Sequence, residues 1–321
     1  MNQNKLIRKE LRRRFHPVGW SLVVYFLLMN VVMIFWSILT SMINAITSML
    51  DGGFDINQYL DQTTSSLGWG YALTVAIGLV ILLCWKKPAY FRNELFVRGK
   101  PMTFGAFAGL MCVFLGVQLI TSLLNTVIEL LLNLMGLTMM VALESASGMQ
   151  TGLSMFIYGA ILAPVTVEIL FRGLIQRTLL PYGKKFAVFG SALLFGIFHG
   201  NLAQTPFAFM AGLVLGYVAV EYNIVWAMVL HMVNNLVLAD MLTRLTSFLP
   251  VAVSDLIGGL IILGFGIAGA VILLVKYKSV RAWLRQEKMN KLCVQALLSN
   301  PGVIVLMILT FLNGLLLFSK L

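Results

Sequence analysis

The chain has 321 residues, of which 60% are hydrophobic and only 11% are charged. This composition excludes an ordinary soluble domain, in which about a quarter of the residues are charged, and the mean hydropathy of +0.92 indicates a polytopic membrane protein. The formal net charge of +11 is spread over several loops, so we expect no nucleic-acid partner. The three cysteines are too widely spaced for a disulfide framework or a metal motif.

Crossing a bilayer core of about 30 Å requires about 20 apolar residues in a helix. On this basis we predict an all-α membrane bundle with eight to nine transmembrane helices. The candidate spans are residues 18–42, 67–85, 104–135, 152–175, 186–199, 206–220, 224–242, 256–275 and 302–319. We expect the short fifth and sixth spans to be enclosed by their neighbours instead of facing lipid.

The first span follows a basic arm and is too long for the apolar region of a cleaved signal peptide. It is therefore interpreted as a start-transfer helix that stays in the protein. A loop over 43–66 carries acidic residues and no lysine or arginine.

The distribution of lysine and arginine predicts the orientation. If the N-terminus is cytoplasmic, all 23 of these residues except Arg244 and Lys320 fall on the cytoplasmic side, as the positive-inside rule requires. Nine spans would then leave the C-terminus outside. We expect a multi-pass protein of a bacterial plasma membrane.

The spans fall into three predicted regions. Residues 1–150 form N-terminal membrane helices with a cytoplasmic basic arm, 151–240 form a catalytic-type core, and 241–321 form C-terminal membrane helices. The last region contains a basic segment, 276–291, with interspersed apolar residues, which predicts a helix lying along the cytoplasmic leaflet. Anionic lipid is its expected partner, and a protein-docking surface is the alternative.

A polar stripe marks the third span. Asn125, Glu129 and Asn133 recur every four residues, so they share one helix face that we expect to point into the bundle. Two interpretations remain for Glu129: interhelical hydrogen bonding, or a supporting role in a functional site.

The strongest functional signal lies between residues 164 and 235. Five polar side chains interrupt apolar spans there: Glu168, Arg172, His199, His231 and Asn235. A charged group at the bilayer centre costs about 2.5 to 3.5 kcal/mol on insertion scales, so such groups face the bundle interior and mark functional sites. Glu168 and Arg172 are four residues apart, as are His231 and Asn235, so each pair shares a helix face.

These groups suit hydrolysis of an amide. A carboxylate can take a proton from water, an imidazole can orient or share that proton, and histidine and asparagine donors can stabilise the oxyanion. A zinc ion bound by His199, His231 and Glu168 is a second possibility, although we expect no cofactor. The simplest alternative is that each histidine is a hydrogen-bonded core residue.

Three motifs in this stretch resemble those of one family. They are APVTVEILFRG (163–173), FGIFH (195–199) and HMVNN (231–235). In order and spacing they are similar to the Glu-Glu-x-x-x-Arg, Phe-x-x-x-His and His-x-x-x-Asn motifs of the CPBP family, the CAAX protease and bacteriocin-processing (Abi-type) intramembrane endopeptidases. The resemblance implies that the first glutamate and His199 activate water, while His231 and Asn235 stabilise the oxyanion.

The chain departs from this pattern at one position. Val167 stands where the family has its first glutamate, and only the second glutamate is present, as Glu168. Adjacent residues on an α-helix point about 100° apart, so Glu168 takes over the direction of position 167 only through a local rotation or a π-bulge. Glu129 is the other carboxylate that could serve the site.

Two functions fit these residues. The first is an intramembrane endopeptidase that acts on a membrane-associated protein or peptide, with catalytic Glu168, His199, His231 and Asn235 and supporting Arg172 and Glu129. The second is a catalytically impaired pseudoprotease that serves as a membrane scaffold or regulator of a cell-envelope partner. A solute transporter is less favoured because no repeated half is visible.

Overall fold

The computed structural model of the chain describes residues 3–50, 55–86, 88–147, 152–237 and 245–320. Nearly all of these residues are helical, which confirms the predicted all-α membrane bundle. In chain order the α-helices are α1 (Gln3–Arg14), α2 (His16–Leu50), α3 (Ile56–Trp85), α4 (Pro88–Tyr90), α5 (Phe104–Asn133), α6 (Met140–Ser147), α7 (Leu153–Ile157), α8 (Ala163–Glu168), α9 (Arg177–Leu179), α10 (Lys184–Phe198), α11 (Thr205–Glu221), α12 (Ile224–Asn234), α13 (Val251–Val275), α14 (Tyr277–Arg285), α15 (Lys291–Leu298) and α16 (Pro301–Leu315).

Other backbone conformations are short. The π-helical segments include π1 (Phe91–Leu95), π2 (Tyr158–Leu162) and π3 (Ile169–Gln176), and a 3-10 turn covers Leu180–Tyr182. Among the described residues the strands are limited to β1 (Leu137–Thr138) and β2 (Ser319–Lys320), which pair antiparallel with Leu137 opposite Lys320.

Five helical segments of the described chain are long and apolar enough to cross a membrane. They are Gln3–Leu50, Tyr59–Cys84, Phe104–Asn133, Leu153–Tyr182 and Val251–Val275. Helices α15 and α16, bent by 57° relative to each other, make a sixth if the pair counts as one span.

The three short helices of the core account for the difference from the predicted count. Helices α10, α11 and α12 have 15, 17 and 11 residues, and at about 1.5 Å per residue each is shorter than the bilayer core. As predicted for 186–199 and 206–220, α10 and α11 are largely enclosed by other helices. The count of eight to nine crossings stays a prediction.

The predicted loop 43–66 is wrong in its extent. Helix α2 continues to Leu50 and α3 begins at Ile56, so most of this stretch is helical. The two helices stay paired beyond the apolar region because the Asn44 amide donates to Thr63 Oγ1 at 3.0 Å and the Trp36 indole donates to the Ser66 carbonyl at 3.0 Å.

Two apolar clusters hold the bundle together. The larger one joins α2, π3, α10, α15 and α16 around fully buried Phe15 and Phe171, and the smaller one joins α5, α11 and α12 around Phe114 and Leu215. Helices α2 and α16 cross at Gly19 and Gly302, where a Cβ atom on either glycine would lie under 3 Å from the facing backbone. Such contact admits only glycine.

The polar ends of the helices gather at two opposite ends of the bundle. At one end Lys100 and Lys184 contact Glu221, Glu287 contacts the backbone of Lys184, and the amide of Asn300 donates to the Arg12 carbonyl. This end therefore collects the basic arm and the basic loops that the sequence assigned to one side. The other end carries the paired strands, including Lys320, while Arg244 lies outside the described residues.

Candidate active site

The helix that carries Glu168 changes its winding on both sides of that residue. Segment π2 precedes α8, and π3 begins directly after Glu168. A π-helix shifts the direction of each following side chain relative to an α-helix, and such segments are frequent at functional sites. The helix therefore contains the π-helical winding that the sequence analysis required to turn the Glu168 side chain away from its ordinary α-helical direction.

Val167 and Glu168 face different surroundings. The Val167 side chain packs against the larger apolar cluster, whereas Glu168 is fully buried and faces polar partners. One carboxylate oxygen, Oε2, accepts a hydrogen bond from Nε of Arg172 at 3.0 Å. The other, Oε1, lies 3.0 Å from Nδ1 of His231, whose side chain is 12% exposed. Glu168 thus joins the first and third motifs.

Arg172 also contacts Ser191, which lies outside the motifs, and the ring of Phe195. Its Nη1 donates to Ser191 Oγ at 2.7 Å, and Ser191 in turn donates to the Phe171 carbonyl at 2.8 Å. The guanidinium carbon lies 5.1 Å from the centroid of the Phe195 ring, close enough for a cation–π contact. A buried arginine needs such partners because an unpaired charge in the interior is costly.

Sequence reasoning missed Ser191, and it gave Phe195 no contact with Arg172. Ser191 and Phe195 lie four residues apart on α10, and Phe195 is itself the first residue of the second motif. A small polar residue one turn before that motif was the only available signal. It is weak, because serine in a membrane helix usually bonds to its own backbone.

His199 lies beside this network and bonds to its own helix. Its Nδ1 lies 2.7 Å from the Phe195 carbonyl. The Phe195 ring contacts His199 edge to face at a centroid distance of 4.7 Å and His231 at 6.0 Å. The Phe195 ring therefore contacts both imidazoles.

Asn235 ties α12 to the helix that carries the first motif. Its amide nitrogen donates to the Gly159 carbonyl in π2 at 2.9 Å, and its oxygen accepts from the Asn234 amide at 3.0 Å. One N–H group of Asn235 is used in this tether, which leaves its second N–H for another acceptor.

Glu129 binds a different part of the protein. Its two oxygens accept from Thr138 Oγ1 at 2.5 Å and from the Met139 backbone at 2.9 Å. Asn125 on the same face donates to the Ala203 carbonyl at 2.9 Å. The predicted stripe thus makes contacts between elements, and those of Glu129 fix the turn after α5.

The donor geometry does not fit a zinc ion. Across the described ranges, no group of three histidine, cysteine, aspartate or glutamate side chains lies close enough to hold a metal. The hydrogen bond of His199 to its own helix is consistent with this result. We therefore derive no step through a metal.

An apolar groove of about 290 Å³ lies beside the site. It is bounded by α2, α3 and the helix of the first motif, with Tyr25, Gly78 and Leu170 among its walls. Thr166 and Ile169, which flank Glu168 in the chain, also line it. The groove therefore runs along the backbone that carries the carboxylate.

One stretch of the chain, which includes the candidate active site, matches a known family model. Residues 149–237 match the family model described as type II CAAX prenyl endopeptidase Rce1-like. This segment contains all three motifs and the Glu168 network, and the match supports the CAAX protease family that the sequence motifs predicted. The match ends before α13, so the C-terminal helices lie outside it. No curated protein matches the chain, and no solved structure matches it.

Proposed function

We propose that the chain is an intramembrane endopeptidase in which Glu168 and His231 together activate the attacking water. The observation that carries the proposal is the fully buried Glu168 carboxylate, which contacts Arg172 and His231 at 3.0 Å each. The match of residues 149–237 to the Rce1-like family model supports a CAAX-type protease activity. The hydrogen-bond geometry supports this particular assignment of the base.

The carboxylate sets the tautomer of His231. A carboxylate only accepts hydrogen bonds, so the proton of the imidazole lies on Nδ1, and Nε2 keeps its lone pair. Arg172 supplies the positive charge that balances the Glu168 carboxylate. A histidine oriented by a carboxylate in this way is the general base of the serine protease triad.

The reaction then follows from proton transfer at His231 Nε2. Water gives a proton to Nε2, and the resulting hydroxide attacks the scissile carbonyl carbon to form a C–O bond and an oxyanion. As the intermediate collapses, the C–N bond breaks, and the leaving amine takes the proton from His231. The products are a carboxylic acid and an amine, and the imidazole returns to its starting state.

His199 and Asn235 complete the site. Since a carbonyl oxygen only accepts, Nδ1–H of His199 donates to Phe195, and its Nε2 is free to orient the same water. The second N–H of Asn235 is the proposed donor to the oxyanion, a contribution of the kind that is worth 10²–10³ in rate in other hydrolases, on the order of 3 to 4 kcal/mol.

The proposed substrate is a membrane-associated protein or peptide of a bacterial plasma membrane. The site lies among helices suited to a bilayer, and the apolar groove along the Glu168 helix supports recognition of an apolar segment. The name of the matched family makes a prenylated peptide one candidate. A bacteriocin leader or a peptide pheromone is another.

One observation favours a second function. Position 167 holds valine packed in an apolar cluster, and both oxygens of Glu168 are already occupied. Loss of a general base typically reduces the rate by 10²–10⁴. A chain impaired to this extent would act as a membrane scaffold or regulator that binds a partner through the retained site.

The two functions predict different chain termini among the membrane proteins of the cell, because only a protease creates new termini. Mass spectrometry of termini would compare cells with equal levels of wild type, His231→Ala, or His16→Ala, and cells without the protein. His16 is the matched control because it is the one histidine outside the motifs and lies exposed at the start of α2. Protease function predicts termini that are present with wild type and His16→Ala and absent with His231→Ala.

The scaffold function predicts a different result. Wild type and His231→Ala would then give the same termini and the same growth, while the deletion differs. Val167→Glu adds a third comparison. A large gain in cleavage on restoring this glutamate would mean that the native site is impaired.

A further inference from the structure

Helix α14 follows the last residues of the α13 span after a single intervening residue, Lys276. It therefore lies at the level where the chain leaves the apolar layer, at the end of the bundle that collects the basic loops. No motif of the candidate active site includes it.

One side of α14 is fixed to the bundle. The Trp283 indole donates to Glu221 Oε1 at 3.0 Å and its ring meets Tyr217 edge to face at 5.4 Å. Just beyond the helix, Glu287 accepts from the backbone N–H of Lys184 at 2.9 Å. The side chain of Lys185 donates to the Leu284 carbonyl. These contacts fix the rotation of α14 about its own axis.

Glu221 is the centre of this attachment. Its oxygens accept from Lys100 Nζ at 2.6 Å and Lys184 Nζ at 3.2 Å as well as from Trp283. Burial alone would raise the pKa of Glu221, but the hydrogen bonds from Lys100, Trp283 and Lys184 lower it to about 2. The Glu221 carboxylate is therefore ionised at neutral pH, and its negative charge holds Trp283 of α14, Lys100 and Lys184 together.

The rest of α14 presents an apolar sector and a basic sector. Tyr277, Val280 and Leu284 recur at spacings of three and four residues and are all exposed, at 55%, 38% and 53%. Lys278, Arg281 and Arg285 form a second exposed row with the same type of spacing. Since successive residues turn by about 100°, the two rows are neighbours: the basic row lies opposite Trp283, and the apolar row lies between Trp283 and the basic row.

The basic row has no acidic partner in the protein. Among the described residues, no ion pair joins Lys278, Arg281 or Arg285 to a carboxylate. Arg281 lies 5.9 Å from the centre of the Tyr277 ring. The nearby acids Glu221 and Glu287 are used towards the bundle, so the row faces outward with its charge uncompensated.

We propose that the exposed face of α14 binds the headgroups of anionic phospholipids, with Tyr277, Val280 and Leu284 in the acyl boundary and Lys278, Arg281 and Arg285 on the phosphates. Adjacent apolar and basic rows are the pattern of helices that lie in the membrane interface. The position next to the end of a span places this face at a headgroup layer, and the charge is complementary to an anionic leaflet.

The test uses the full chain purified in a neutral detergent, with phosphatidylglycerol or phosphatidylcholine added. Native mass spectrometry measures retained lipid, and thermal unfolding measures the lipid-induced shift in Tm. The α14 variant carries Lys278→Gln, Arg281→Gln and Arg285→Gln. The matched control carries Arg8→Gln, Lys9→Gln and Arg13→Gln, which removes the same charge from three exposed residues of α1.

We expect wild type and the α1 control to retain phosphatidylglycerol over phosphatidylcholine and to gain Tm with the anionic lipid. In the α14 variant the affinity for phosphatidylglycerol should fall by about tenfold or more, since each basic side chain near a membrane surface adds substantially to lipid attraction. An unchanged Tm of the α14 variant without lipid would show that the fold is intact. The exposure of all three substituted side chains makes that the expected result.

Three results would overturn the proposal. The first is that the α14 variant retains anionic lipid as wild type does. The second is that both triple variants lose it equally, so that only net charge matters. The third is that an acidic peptide of polyglutamate binds wild type through α14 in preference to phosphatidylglycerol. If the α14 variant does not fold, the single substitution Arg281→Gln is measured in its place, with Arg8→Gln as its control. None of these results depends on whether the protein cleaves peptides.

Discussion

Two carboxylates organise this protein, and they do so in opposite environments. Glu168 is fully buried and contacts Arg172 and His231, of which Arg172 is also fully buried. Glu221 is 5% exposed, but its lysine partners Lys100 and Lys184 are 69% and 47% exposed. Each carboxylate has at least one donor from a distant part of the sequence. Water can replace a lost partner of the exposed lysines at Glu221, but it cannot reach the buried Arg172 beside Glu168.

This contrast indicates which of the two ion-pair networks loses more stability when one partner is removed. A buried ion pair contributes little net stability, yet removal of one partner leaves an uncompensated charge. An exposed pair contributes about 0 to 1 kcal/mol, and its loss leaves two hydrated groups. The Glu168 network should therefore be fragile to single substitutions, while the Glu221 network should tolerate them.

The largest effect is expected at Arg172. We expect Arg172→Ala to lower the free energy of unfolding by about 3 to 5 kcal/mol, because Glu168 is left as a buried charge with only His231 beside it. Unfolding in detergent, followed by loss of helical circular dichroism, measures this. The double substitution Glu168→Leu with Arg172→Met should recover most of the loss. A double variant no more stable than Arg172→Ala would contradict this account of the pair.

A smaller loss is expected at Ser191. Ser191→Ala removes the acceptor for Arg172 Nη1 and the donor to the Phe171 carbonyl, which should cost about 1 to 3 kcal/mol. Ser21→Ala is the control, since the Ser21 hydroxyl donates to the Val18 carbonyl of its own helix, and should change stability by less than about 0.5 kcal/mol. Equal effects in the two variants would mean that Ser191 does not support Arg172.

The smallest effects belong to Glu221 and depend on pH. Because the folded-state pKa of Glu221 is depressed from 4.5 to about 2, its stabilisation is present above pH 4.5 and is lost as the pH falls towards 2. Wild type should therefore have a higher Tm than Glu221→Gln at pH 7, and the difference should shrink steadily below pH 4.5.

Lys100 gives the matching control for the exposed network. Lys100→Gln should lower stability by less than about 1 kcal/mol, and salt should reduce the effect further. A difference between wild type and Glu221→Gln that stays constant from pH 7 to pH 2 would contradict a charged attachment. A loss in Lys100→Gln as large as that of Arg172→Ala would remove the contrast between the two regions.

The parts that the sequence predicted are those set by local spacing. The Glu168 and Arg172 pair follows from their four-residue separation, and the membrane class follows from composition. The pairing of Glu168 with His231 joins residues 63 positions apart. The shared motif region suggested that they converge, but the hydrogen bond itself depends on how α8 and α12 pack.

Other features had no local signal. The partners of Glu221 come from three separate segments, which only packing brings together. The ends of α2 and α3 passed the predicted boundary because hydrogen bonds between the helices replace the apolar environment there. The tether of Asn235 to Gly159 depends on the π-helical winding of π2, which the residue pattern does not reveal.

The central claim is that His231, oriented by Glu168, is the general base. The most direct measurement is cleavage by purified His231→Ala, with and without added imidazole, of a substrate found through its termini. The account predicts a loss on the order of 10² to 10⁴ and partial, saturable recovery with imidazole, which replaces the missing base in the space left by the side chain. Cleavage by His231→Ala at the wild-type rate without imidazole would contradict it.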